Sequence, residues 1–220
     1  MLLRRRGEKR MRRTNRFMVF LSLAVSLIAA CSGPADMDPP PEIAVLDKPG
    51  AAPYPLSEGE SYVLEAFGMR GRSQLISFCA PSGASGLEAN VYLLGDDGAW
   101  ENIGGGQISM GEEGGTLAGV FALELLEDYS VGLHITAEGR ASYETDPIPL
   151  EKEITGSSVG FLRQYEEMEL GEELPVALML YDSGTRMELQ DLEAFFEPEK
   201  LAELELVQAV TLKFTEDTGK

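Results

Sequence analysis

The chain of 220 residues carries two cysteines, Cys31 and Cys79, and one histidine, His134. A thiol and an imidazole are the pair best suited to nucleophilic chemistry. Cys79 precedes a glycine-rich stretch, "APSGASG", and His134 is the one imidazole that could serve as its base. Both fall in apolar runs that predict strands, and no spacing ties them together. A buried structural thiol and an outward-facing imidazole account for them without catalysis, and that reading is preferred. The acids of "YEEMELGEELP" (Tyr165–Pro175) could ligate Ca²⁺ or act as a carboxylate pair, but an exposed strand edge with solvated acids is favoured. No D-x-[DN]-x-[DN]-G loop supports a calcium site. The glycines of "PSGASG" and "IGGGQ" lack the lysine and the strand-to-helix context of a phosphate cradle. No G-x-S-x-G elbow is present. Trp100, with Tyr92 nearby, could form an aromatic platform for a sugar or peptide; hairpin packing is the commoner use of such a pair. No catalytic residue, metal ligand or cofactor is assigned.

Cys31 has a different context. Eight basic residues precede the apolar run Phe17–Ala30, opposed only by Glu8. Met11 is a second candidate start that keeps a basic n-region. A basic start, a short apolar core and small residues before a break describe an export signal. The run is short of the ~20 apolar residues of a transmembrane helix. The stretch Ile28-Ala29-Ala30-Cys31 resembles the lipobox of bacterial lipoproteins. That resemblance covers the first 31 residues. It implies cleavage before Cys31, with Ile28, Ala29 and Ala30 recognised by the signal peptidase. It further implies a diacylglycerol thioether on Cys31, anchoring the chain at the extracytoplasmic face of the cell membrane.

Without that leader, 10 basic and 36 acidic residues remain, a formal charge of −26 over 190 residues. Such a surface repels nucleic acid and anionic head groups, so no nucleic-acid partner is expected. With Cys31 lipidated, Cys79 has no intrachain disulfide partner. The folded part must therefore rest on a hydrophobic core.

Seven of the twelve prolines lie between Ser32 and Leu56. They predict a semi-extended tether over 31–56, whose outer end, from Ala51, either hangs free or lies along the domain. Beyond it the texture is β. Ser61–Phe67, Ser73–Ala80, Glu88–Leu94, Gly115–Leu125, Tyr129–Ala137, Ser157–Leu170, Leu174–Asp182 and Val207–Thr215 are predicted strands. "GDDG" (Gly95–Gly98) predicts a hairpin turn. Leu189, Leu192, Phe195 and Phe196 fall at helical spacing before Pro198, predicting a short helix there. In "LELLEDYSVGLHI", Tyr129 follows an acidic turn and opens the alternation Val131, Leu133, Ile135. This resembles the tyrosine corner of immunoglobulin-like sandwiches and implies such an architecture.

The expected organisation is a signal peptide (1–30), a lipidated tether (31–56), an immunoglobulin-like β-sandwich (57–150) and a smaller β-rich unit with one short helical insertion (151–220). The expected role is a non-enzymatic envelope interaction module with a membrane anchor and a protein or envelope-polymer partner. An envelope hydrolase or thiol-dependent enzyme, or a small solute-binding lipoprotein, is the alternative.

Overall fold

The computed structural model of the chain describes residues 46–109, 116–137, 139–184 and 190–216. The leader, the lipobox residues Ile28, Ala29, Ala30 and Cys31, and the tether up to residue 45 lie outside the described residues.

Ten strands and one α-helix are present among the described residues. In chain order they are β1 (Gly50–Pro53), α1 (Glu58–Ala66), β2 (Ser73–Cys79), β3 (Gly86–Leu94), β4 (Trp100–Ser109), β5 (Ala118–Leu125), β6 (Val131–Thr136), β7 (Arg140–Glu144), β8 (Gly156–Phe161), β9 (Glu173–Asp182) and β10 (Leu206–Thr215). Two 3₁₀ turns, Leu192–Phe196 and Pro198–Lys200, interrupt the last third. All pairings between the strands are antiparallel, in two five-stranded sheets ordered β1-β2-β5-β6-β7 and β4-β3-β10-β9-β8.

The sheets close face to face because alternate positions are apolar. Ile76, Phe78, Phe121, Leu123, Leu133 and Ile135 from the first sheet meet Leu87, Val91, Val210, Leu212 and Phe214 from the second in one buried cluster. Phe78 and Phe214 touch across the gap with ring centroids 6.4 Å apart. The chain is a mainly β sandwich, as its alternation predicts. Strands from both halves share the second sheet: β10 pairs with β3 on one side and β9 on the other. Residue 150 lies in the connection between β7 and β8, and the described residues all belong to one compact unit.

The outer face of the second sheet carries another apolar layer. Leu178, Leu180, Val207 and Ala209 point away from the main core and pack under Ala194, Phe195 and Leu201. The expected helical insertion is there, as 3₁₀ turns broken by Pro198 rather than as an α-helix.

Ser61–Phe67 is not a strand. Ser57 caps a helix, accepting from the Glu60 N–H at 3.3 Å, while a Glu60 carboxylate oxygen accepts from the Ser57 N–H at 2.7 Å. This reciprocal capping box, with Gly68 at φ 68° ending the helix, outweighs the local β texture. The strand predicted to reach Leu170 stops at Phe161. Within the proline-rich stretch, Gly50–Pro53 forms β1 along β2, so the outer end of the expected tether lies along the domain.

The Asp97-Gly98 turn joins β3 and β4, with Gly98 at φ 76° and the Gly95 N–H bonded to the Ala99 carbonyl at 2.9 Å. Tyr129 sits at the corner entering β6 with φ 64°, its ring edge-on to Tyr181 at 5.0 Å. Its carbonyl accepts from the side-chain amide of the fully buried Gln208 at 2.9 Å.

Candidate functional site

Cys79 and His134 both face outward from the first sheet, and the fold keeps them apart. Cys79 on β2 pairs with Ala118 of β5; His134 on β6 pairs with Ala122 of the same strand. Two strand spacings and four residues of rise separate them, on the order of 16 Å. His134 instead meets Ser142 across the β6–β7 pair, with Nδ1 2.9 Å from Oγ, on an exposed face. Cys79 is 6% exposed, and burial, followed by the charge of Asp47, pushes its thiol pKa up. A thiolate is thus disfavoured where a nucleophile needs one.

Trp100 and Tyr92 do converge, but on Phe195. The Trp100 ring stacks on Phe195 at 5.0 Å, its indole N–H donates to the Phe195 carbonyl at 2.8 Å, and Tyr92 lies 5.7 Å from the same ring. The platform is filled by the chain's own side chain.

Two residues of Tyr165–Pro175 serve separate structural purposes, Glu166 through its backbone and Glu173 through its carboxylate. Glu166 makes two backbone hydrogen bonds with Ala51, at 2.9 and 2.8 Å, and so covers the outer edge of β1. Glu173 reaches over the outer face of the second sheet. Its Oε1 accepts from Tyr92 Oη at 2.6 Å, Thr211 Oγ1 at 3.1 Å and Asn90 Nδ2 at 3.5 Å. Burial, with the Glu173 carboxylate next, pushes the Tyr92 phenol up to about 12. Among the described residues, no three histidine, cysteine, aspartate or glutamate side chains cluster as a metal site.

One concave feature with mixed chemistry is a groove of about 450 Å³ between the end of β8 and the 3₁₀ turn. Phe161, Leu162, Leu174 and Pro175 give it apolar surface; Arg163, Glu166, Asp191 and Glu193 supply charge. Phe196 stands at its rim, 62% exposed, while its neighbour Phe195 is buried. The rim ring is steadied edge-on by Phe195 at 5.2 Å. Helical spacing predicts Phe196 on one face with Phe195, whereas the 3₁₀ turn buries Phe195 and exposes Phe196. The Phe195-Phe196 doublet was its only signal, since adjacent residues in a turn cannot both face one core. Arg163 carried no signal at all. The arrangement can bind an apolar group flanked by charge. Compared with known proteins, the chain matches no family model, no curated protein and no solved structure.

Proposed function

We propose that the chain is a lipid-anchored, non-enzymatic binding module on the extracytoplasmic face of a bacterial cell membrane. Cys31 carries the anchor, and the groove beside Phe196 receives a protein or envelope-polymer partner. The leader and the Ile28-Ala29-Ala30-Cys31 box support the anchor. The observation that carries the binding role is the groove itself, with Phe196 left 62% exposed above it. An aromatic ring gains ~1.5–3 kcal/mol on full burial, so a partner that covers it is favoured.

The separation of Cys79 from His134 removes support from a thiol enzyme built on that pair. The groove volume also lies within the ~300–1,000 Å³ of small-molecule sites, which favours solute binding as the second reading.

Two measurements test the proposal. Cys31→Ser should abolish palmitate incorporation and release the protein from membranes or leave it uncleaved; equal labelling of wild type and variant refutes the anchor. Pull-downs from detergent-solubilised membranes, with purified cell-wall polymer co-sedimentation alongside, should lose their specific species in Phe196→Ser. If the variant retains them all, the groove is not the binding site. Stabilisation by the small-molecule dialysate of an extract, with no macromolecule retained in the pull-downs, selects the solute reading.

A further inference from the structure

The helix α1 buries none of its residues. An isolated helix of nine residues is marginal in water, because nucleation costs more than so few hydrogen bonds return. Local devices hold this one: the Ser57–Glu60 capping box, and at its end the Met69 N–H bonded to the Leu64 carbonyl at 2.9 Å. The sequence thus maintains a helix that the sandwich core does not use.

Its side chains are arranged by character. At about 100° per residue, Tyr62, Val63, Ala66 and Phe67 fall within an arc of about 140°. Ser61 and Leu64, the less exposed residues, fall outside it. Tyr62 is 73%, Val63 50% and Phe67 75% exposed, among the largest exposed apolar side chains described. By the same geometry Glu58 and Glu65 border the arc on one side and Glu60 on the other; Glu65 pairs with Arg70 at 3.2 Å and Glu60 accepts from Ser57, so the rim keeps a formal excess of two negative charges. An apolar ridge with an acidic rim fits the helix-in-groove mode of recognition.

We propose that α1 is a docking helix whose apolar ridge inserts into an apolar groove rimmed by Lys or Arg on a partner protein. Charge complementarity selects this occupant. Interfacial membrane helices carry Lys and Arg on their polar face, and acids there repel anionic head groups. A second copy would bring the same acidic rim and the same formal chain charge of −19. The inference rests on the interaction-module reading but uses a different surface from the groove beside Phe196.

The test places photoreactive p-benzoylphenylalanine at Ala66 of the full chain, expressed in membranes of the native host. The expected result is a protein adduct whose cross-linked peptide carries basic residues around an apolar stretch. Tyr62→Ser combined with Phe67→Ser should lower its yield about tenfold, as truncating a buried aromatic anchor does. Glu58→Gln with Glu60→Gln and Glu65→Gln should also lower it. Glutamine at 60 keeps an acceptor for the capping box but loses the charge that favours the helix N-terminus, so circular dichroism must show the helix retained, with at most a slight fall in melting temperature, for the yield to be read. NaCl added before irradiation should lower the adduct yield. Adducts of dimer mass, adducts to phosphatidylglycerol vesicles, or a yield indifferent to the charge variants would overturn the proposal. A photo-adduct from position 196 with none from position 66 would sink the docking helix and leave the groove reading standing. The reverse would sink the groove alone.

Discussion

Tyr165 closes on Gly50: a Cβ at Gly50 would lie 2.7 Å from Tyr165 Cε2, and the Glu166 carbonyl oxygen is nearer still. Gly50 also sits at φ 142°, opposite Cys79 on β2. The phenol donates to the Pro49 carbonyl at 2.5 Å, and Lys48 Nζ lies 3.5 Å from the ring centroid. This contact fixes β1 to the sandwich. Gly50→Ala is expected to cost about 1–3 kcal/mol from backbone strain and overpacking. Denaturant unfolding of the full chain measures it; wild-type stability would show that β1 tolerates displacement.

The same seal governs Cys79. Its thiol should react slowly with a thiol reagent in the folded protein and fast once unfolded, because burial and Asp47 both disfavour the thiolate. Gly50→Ala should speed native labelling. Fast labelling of the wild type would revive Cys79 as a nucleophile.

Glu173 links three strands through Tyr92 and the fully buried Thr211. Glu173→Ala leaves these donors without their acceptor and should cost about 1–3 kcal/mol; Glu173→Gln keeps an acceptor and should cost less. A double-mutant cycle with Tyr92→Phe reads the coupling, and strict additivity would show the bond contributes nothing.

Alkaline pH should destabilise the fold in a defined window. Tyr92 and Tyr181 are both pushed up to about 12, chiefly by burial, with Glu173 adding to the first and Tyr129 to the second. An unfolded phenol titrates near 10. The folded state therefore holds protons that the unfolded state releases in between. These groups contribute their full stability below about pH 10 and lose it as pH climbs towards 12. Unfolding midpoints across that range check this, and Tyr92→Phe should flatten the slope.

Neutral salt should raise the melting temperature by screening self-repulsion at a Debye length of ~10 Å near 0.1 M. NaCl and CaCl₂ at matched ionic strength should act alike, since the Glu173 carboxylate is already engaged by Tyr92 and Thr211 and no three acids cluster as a metal site among the described residues. A saturable stabilisation specific to Ca²⁺ would instead reveal a bound cation.

Local signals of the fold were legible in the sequence. Alternation marked Val210, Leu212 and Phe214 as one inward face, and all three are fully buried. Asp97-Gly98 marked the β3–β4 turn, because its backbone needs a residue that tolerates positive φ. The helix α1 was also written locally, in Ser57-x-x-Glu60 and Gly68, although the β-like composition of Ser61–Phe67 masked it. Period two determines which side of a strand faces inward, but not which strand lies beside it. Only the tertiary structure decided that β10 runs between β3 and β9, that Phe195 closes over Trp100 from 95 residues away, and that Arg163 and Phe196 share a groove. Those relations depend on how two sheets bury their apolar faces together. That is a property of the whole chain, with no signature in any window of it.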